Sequence, residues 1–110
     1  MLEKMIVVTR TSDGVEAKVI NEGEKEKLLD PRFDLRNHSP TGFEYGYCGS
    51  GPAQLSLAIL AEMCNDKVAE HLYQQFKFDF ISTLGHLNEF TIDQTYIENW
   101  VKEKEKNRCQ

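Results

Sequence analysis

The chain has 110 residues, of which 40% are hydrophobic, and its formal net charge is −5. This length predicts one domain over residues 1–110, with one core and no separate substrate domain. The acidic balance argues against broad binding of nucleic acid or anionic lipid, because both are bound mainly through an excess of lysine and arginine. No stretch reaches the ~20 apolar residues of a membrane span, and none near the start is long enough for a secretory signal.

The first twenty residues predict an antiparallel hairpin. Residues 5–11 are mostly apolar and β-branched, and residues 12–14 have the Ser-Asp-Gly composition of a turn. Residues 15–20 alternate apolar with charged side chains as far as Val19. Alternation of this kind is typical of a strand with one buried and one solvated face.

A third strand is expected over residues 32–36, which alternate charged with large apolar side chains after a Pro-containing break. Phe33 and Leu35 would then point toward the core. Just before the break, Leu28 and Leu29 are both expected to anchor the connection to the core.

A glycine-rich loop over residues 42–51 leads into the first predicted helix, which runs from Pro52 to about residue 64. Proline is common at the first helical position, and Gln54 then falls on the third. Apolar residues cover nearly the whole circumference of this helix, which predicts a helix buried on most sides.

Two more helices complete the predicted fold. The second covers residues 67–84 and ends at Gly85, a residue type typical of helix C-termini. Residues 90–92 are a short strand or an extended connection, Asp93 caps a last helix, and a polar tail from about residue 102 is expected to fray. The elements predict an α+β fold: an N-terminal antiparallel hairpin, extended to three strands, packs on a buried helix, a second long helix and a C-terminal helix.

The junction between the glycine-rich loop and the first helix is the candidate binding site. Backbone N–H groups and the helix dipole favour an anion at such a junction. Arg32, Arg36 and His38 lie just upstream and could bond to the same anion. The glycine spacing matches neither the P-loop pattern nor the dinucleotide-binding pattern.

A structural role for the same loop is the alternative interpretation. Without Cβ atoms, the glycines would let an aromatic segment cross closely over the core helix. Arg36 would then pair with Asp34 or Glu44 and would not bind a ligand.

Nucleophilic catalysis is a weaker hypothesis for this chain. Cys48 at a helix N-terminus, with His38 nearby, has the setting that lowers a thiol pKa. No Asn or Asp is clearly placed to orient the histidine, so no catalytic residue is assigned. Cys64 is expected in the core and Cys109 in the frayed tail. The cysteines and histidines lack metal-ligand spacing, so neither a metal nor a cofactor is expected.

Residues 33–55, which read FDLRNHSPTGFEYGYCGSGPAQL, closely resemble a family of short proteins catalogued as a domain of unknown function. The later segment LYQQFKF, residues 72–78, extends the resemblance. In that family tryptophan is more common where Tyr45 stands, glycine where Cys48 stands and tryptophan where Phe78 stands. Glycine in place of Cys48 argues against a catalytic thiol. The family's members occur in bacteria, plasmids and phages, and the resemblance implies no established activity.

This setting favours a non-catalytic protein of a phage or mobile element that inhibits a host defence protein by direct contact in the host cytoplasm. A binder of a phosphate-bearing small molecule or nucleotide is the alternative, and a Cys/His-dependent enzyme is the third hypothesis. No membrane partner is expected, and a homodimer is among the open oligomeric states. The candidate binding residues are Arg32, Arg36, His38, Tyr45, Tyr47, Gly49, Ser50, Gly51 and Gln54.

Overall fold

A computed structural model describes residues 3–108, with side chains to residue 106. Within these residues the chain forms a four-stranded antiparallel sheet and three α-helices. The strands are β1 (Met5–Thr11), β2 (Gly14–Ile20), β3 (Lys27–Leu28) and β4 (Glu89–Asp93), and the helices are α1 (Ser50–Met63), α2 (Asp66–Asp79) and α3 (Gln94–Arg108). The predicted α+β class is confirmed.

The predicted hairpin is confirmed as β1 and β2, paired from Met5 opposite Ile20 to Thr11 opposite Gly14. One face of the pair is buried against the helices through Ile6, Val8, Ala17 and Val19. Because side chains alternate across a strand, the other face carries the intervening residues, which are half-buried or exposed. Gly14 takes a φ of 125°, a conformation that side chains rarely adopt, and this permits the tight turn.

The third strand predicted over residues 32–36 is wrong. That segment is a turn in which the N–H groups of Leu35 and Arg36 both donate to the Arg32 carbonyl. Arg32 has a φ of 57°, a left-handed conformation that ends any extended run, and its N–H donates to the Asp30 carboxylate. The charged residues suit this turn as well, because Arg32 pairs with Asp66 and Arg36 with Glu70 on α2.

The strands that complete the sheet come from elsewhere in the chain. β3 pairs with β2 over two residues, and β4 pairs with β1 along its whole length, which gives the order β3-β2-β1-β4. The segment left open as a strand or an extended connection is therefore a strand. Within residues 3–108, β4 is the terminal strand on its side of the sheet.

Helix α1 lies at the centre of the fold, and every residue from Gly51 to Leu60 is buried. A helix that is enclosed all round needs apolar residues on all its faces, as the sequence predicted. The helix begins at Ser50, so Pro52 occupies the third helical position and not the first. Proline is tolerated there because the first four N–H groups of a helix have no intrahelical partner.

The second helix is shorter than predicted. α2 begins after Asn65, whose side chain accepts from the Val68 N–H at 2.9 Å, and ends at Asp79. A separate 3₁₀ turn, Ile81–Leu84, follows and ends at Gly85. The Ile81 carbonyl accepts from the Gly46 N–H, which ties this turn to the glycine-rich loop.

The last helix begins where the sequence predicted and continues further. The Asp93 carboxylate accepts from the Tyr96 N–H at 2.8 Å, as an N-cap does. Residues from 102 onward, expected to fray, are helical through Arg108, and Lys104 pairs with Asp79 at 2.8 Å. Cys109 lies outside the described residues. Among residues 3–108, no helix is both long and apolar enough to cross a membrane.

Candidate functional site

The central aromatic residue of the glycine-rich loop belongs to the core. Tyr45 is buried, and its hydroxyl donates to the Leu87 carbonyl at 2.6 Å. The centres of the Tyr45 and Phe90 rings lie 5.0 Å apart in an edge-to-face arrangement. The Arg10 guanidinium lies 4.4 Å from the centre of the Tyr45 ring, donates to the Tyr45 carbonyl and pairs with Glu44. Tyr45 is therefore unavailable to a ligand. The basic residue that contacts this loop is Arg10 of β1, which the sequence did not single out.

Gly46 and Gly51 are packed closely against neighbouring chain, and Gly49 lies against the exposed side chain of Tyr47. A Cβ at Gly46 would overlap the carbonyl oxygen of Gly85, and one at Gly49 would lie 2.6 Å from the Tyr47 ring. A Cβ at Gly51 would lie 2.7 Å from the Glu44 side chain. These contacts agree with the structural interpretation, in which the glycines let the loop cross closely over α1.

The N-terminus of α1 offers few donors to an anion. Pro52 has no N–H, and the Ala53 N–H already donates to the Gly49 carbonyl at 3.0 Å. Ser50 and Gly51 are left as the first-turn donors, and Glu44 packs against Gly51.

The cavity beside this helix end has a volume of about 440 Å³, and carboxylates of Asp13 and Glu44 line it together with Tyr47 and Ser50. Among its described lining residues there is no lysine, arginine or histidine. Glu44 already pairs with Arg10, so this cavity offers a phosphate no unpaired cationic side chain among its described lining residues.

Arg32, one of the predicted anion ligands, is occupied by two carboxylates. Its guanidinium donates to Asp34 at 2.9 and 3.0 Å and to Asp66 at 2.8 and 2.9 Å. These hydrogen bonds lower the pKa of both carboxyl groups and raise that of Arg32. Arg32 also lines a cavity with Glu62 near the far end of α1, and Glu62 is roughly 17 Å along the helix axis from Gly51 at 1.5 Å per residue.

The three predicted basic residues all contact one face of α2 and do not surround the N-terminus of α1. Arg32 bonds to Asp66, Arg36 lies 3.7 Å from the Glu70 carboxylate, and His38 Nε2 shares a 2.6 Å hydrogen bond with the Tyr73 hydroxyl. The α2 partners are spaced i, i+4 and i+7, which places them on one face of the helix. We call these contacts the α2 ladder. The partner of Arg36 is Glu70, so the predicted pairing with Asp34 or Glu44 is wrong.

Gln54 is the residue that holds this segment in place. Its side chain is 0% exposed, and its carbonyl oxygen accepts from the N–H groups of His38 and Ser39 at 2.8 and 3.2 Å. Its amide nitrogen donates to the carbonyls of Pro31 and Arg36 at 2.6 and 3.0 Å. A buried primary amide thus satisfies four backbone groups of a loop that lacks regular secondary structure, so its role is structural.

Of the described residues, neither Cys48 nor Cys64 forms a hydrogen bond with the predicted histidine, His38. Cys48 is exposed, and the His38 ring is engaged with Tyr73 on α2. Cys64 is half-buried against the core, and burial raises the pKa of its thiol. A raised pKa reduces the thiolate fraction, and with it the reactivity, at neutral pH.

An apolar groove that the sequence did not predict runs between β2, β3 and the segment before the glycine-rich loop. Its volume is about 410 Å³. We define the apolar groove by its large apolar lining residues, which are Val15, Leu28, Leu29, Pro31, Phe33, Pro40 and Phe43. Leu28 is 66% exposed and Phe33 40% exposed, so the expectation that both point into the core is wrong. Consecutive strand residues face opposite sides, and of the two leucines only Leu29 is buried.

The groove continues toward the glycine-rich loop. It shares Val15, Gly42 and Phe43 with the cavity beside the N-terminus of α1, and Tyr47 lies on that side with 51% exposure. Phe78 is 54% exposed on α2, and the Lys77 ammonium lies 4.6 Å from its ring centre.

Replacing Gln54 with leucine should destabilise the fold by about 3 kcal/mol or more, because four backbone groups lose their partner and buried groups without one cost ~1–3 kcal/mol each. Urea unfolding measures this difference. Gln74→Leu is the matched control, since Gln74 is exposed on α2 and its replacement should change stability by less than about 0.5 kcal/mol. Equal effects of the two substitutions would contradict the structural role of Gln54.

Gly46→Ala should destabilise the protein more than Gly42→Ala. Both glycines have positive φ values, 93° and 123°, so both substitutions carry a backbone strain of about 1–3 kcal/mol. At Gly46 alone a Cβ meets a backbone carbonyl, whereas at Gly42 nothing lies within 4 Å. Thermal unfolding should therefore rank wild type above Gly42→Ala and Gly42→Ala above Gly46→Ala. A reversed order of the two variants would refute the close packing of the loop.

The bond between Asp66 and Arg32 should make stability depend on pH in the acid range. The Arg32 hydrogen bonds lower the pKa of Asp66 in the folded protein below its ordinary value of 3.8. The ionised carboxylate therefore stabilises the fold above pH 3.8, and this stabilisation is lost as the pH falls through the lowered pKa. The stability difference between wild type and Asp66→Asn should be largest above about pH 5 and should shrink below it. Asp13→Asn, at an exposed turn, serves as the control. A difference that stays constant from pH 7 to the acid limit of folding would contradict the pairing.

The comparisons with known proteins identify a family but no activity. A search of curated proteins and a search of solved structures each found no match. A scan against protein families matches residues 7–103 to a family of unknown function, DUF6166. The match covers most of the hairpin, all of α1 and α2, and most of α3, and it agrees with the resemblance to a family of unknown function. The chain belongs to this family of unknown function, DUF6166.

Proposed function

We propose that the protein is a non-catalytic binding protein that contacts another protein through the apolar groove and the adjoining Tyr47. The observation that carries this proposal is the exposure of Leu28, Phe33 and Tyr47 around a concave surface. Exposed aromatic and aliphatic side chains next to a concavity are typical of protein–protein contact sites. The occupant is a partner protein that inserts apolar side chains into the groove.

The geometry supports this function better than phosphate or nucleotide binding. Of the residues predicted to hold a phosphate, Arg32 and Arg36 face carboxylates on α2, Gln54 is fully bonded and Tyr45 is buried. Tyr47 and Ser50 remain exposed at the helix end, and they lie beside Asp13 and Glu44. Glu44 is paired with Arg10, and no lysine, arginine or histidine among the described lining residues faces an anion there.

The biological setting of the proposal comes from the sequence resemblance to proteins of bacteria, plasmids and phages. We extend the proposal to a protein of a phage or mobile element that covers a functional surface of a host defence protein. A chain of 110 residues suits inhibition by coverage, because one standard interface needs only about 800 Å² on each partner.

Site-specific photo-crosslinking in bacterial cells tests the proposal. A photoreactive phenylalanine analogue at position 33 or 47 should crosslink to one host protein, and the same analogue at position 78 should not. Position 78 is the matched control, because Phe78 is as exposed as Phe33 and Tyr47 but lies on α2.

The recovered partner then provides a quantitative assay. Phe33→Ser should weaken its binding by about tenfold or more, as expected for a central apolar contact, while Phe78→Ser should leave it within about twofold. The partner's activity should fall when the wild-type protein is added. Crosslinks of equal yield at positions 33 and 78, or binding that survives Phe33→Ser, would overturn the proposal.

A further inference from the structure

The far edge of the sheet is open for pairing. The Arg10 N–H donates to the Asn88 carbonyl at 2.8 Å, and the Gln94 N–H donates to the Lys4 carbonyl at 3.0 Å. The N–H and C=O groups of even-numbered residues in β4 therefore point toward β1. Because these groups alternate in direction along a strand, those of Glu89, Thr91 and Asp93 point away from the sheet. In the described chain, no strand pairs with that side of β4.

An aromatic notch lies beside this open edge. Its volume is about 190 Å³, enough for one apolar side chain, and Phe80, Ile92 and Tyr96 line it together with Thr91 and Asp93. Phe80 and Tyr96 stand 5.5 Å apart between ring centres, and Tyr96 is exposed. A strand added to β4 would direct alternate side chains into the notch and onto the opposite face of the sheet.

The two carboxylates on β4 determine which kind of strand can pair with it. Glu89 and Asp93 stand at the two ends of β4, on the same face of the sheet as Thr91. A second copy paired antiparallel about Thr91, the register that uses all three outward residues, would set Glu89 opposite Asp93 twice. Like charges directly opposite each other destabilise a strand pair, so the edge disfavours self-pairing and favours basic residues at those positions.

We infer that β4 is a second docking site, which binds an extended segment of a partner protein by strand addition. The segment carries lysine or arginine opposite Glu89 and Asp93 and an apolar side chain opposite Ile92, in the notch. Strand addition gives affinity through backbone hydrogen bonds and selectivity through alternate side chains. Two strands lie between this site and β3, and the notch shares no described lining residue with the apolar groove, so the two sites can be tested separately.

The probe is a capped heptapeptide, Thr-Lys-Leu-Thr-Val-Lys-Thr, and its counterpart has glutamate in place of both lysines. In an NMR titration at millimolar peptide, the lysine peptide should shift the amide resonances of β4 and slow hydrogen exchange at Thr91. The affinity of the glutamate peptide should be lower by about tenfold or more than that of the lysine peptide, because glutamate places carboxylates opposite Glu89 and Asp93. Absence of shifts in β4, or equal binding of the two peptides, would overturn the inference.

Thr91→Pro removes one outward N–H without touching the bonds to β1, and proline is tolerated at sheet edges. This variant should lose at least about tenfold in affinity, whereas Thr91→Val, which keeps the N–H, should stay within about twofold. If Thr91→Pro fails to fold, Glu89→Lys replaces it and should reduce the preference for the lysine peptide by about tenfold. Unchanged binding by the variant used would overturn the inference. So would a wild-type dimer that Thr91→Pro or Glu89→Lys converts to a monomer, because β4 would then pair with a second copy.

Discussion

The buried amide of Gln54 is the interaction on which the arrangement of residues 31–39 depends. This segment has no strand or helix to satisfy its backbone, and it lies against the most buried helix of the fold. One side chain supplies two acceptor bonds and two donor bonds to the segment. Since buried backbone groups without partners are costly, the amide allows an irregular loop to cover α1 without leaving such groups behind.

The α2 ladder and the packed glycines extend this support on either side of Gln54. The ladder attaches the segment to α2 through Arg32, Arg36 and His38, and the glycine-rich loop crosses over the start of α1 at Gly51. The residues that carry the family resemblance therefore act largely as scaffold. Apolar surface remains exposed at two places, in the apolar groove at one edge of the sheet and in the aromatic notch at the other.

Local patterns in the sequence were enough to predict much of the fold. The hairpin and the Asp93 cap follow from short-range rules, alternation and capping, that tertiary contacts did not override. The strand over residues 32–36 failed because Arg32 gains its second carboxylate partner, Asp66, only when α2 is folded beside it. The groove was missed because a pair such as Leu28-Leu29 does not reveal which residue faces the core until the strand register is known. Gln54 and Arg10 act through distant partners and have no local signal.

We expect Gln54 to make the irregular segment over residues 31–39 as stable as α1, against which it lies. Native-state hydrogen exchange tests this most directly, because it reports the opening free energy of single amides. The amides of His38 and Ser39, which donate to Gln54, should exchange with the same opening free energy as the amides of Leu57 to Leu60 in α1. Exchange of the His38 and Ser39 amides at the rate of an exposed loop, while α1 stays protected, would contradict the account.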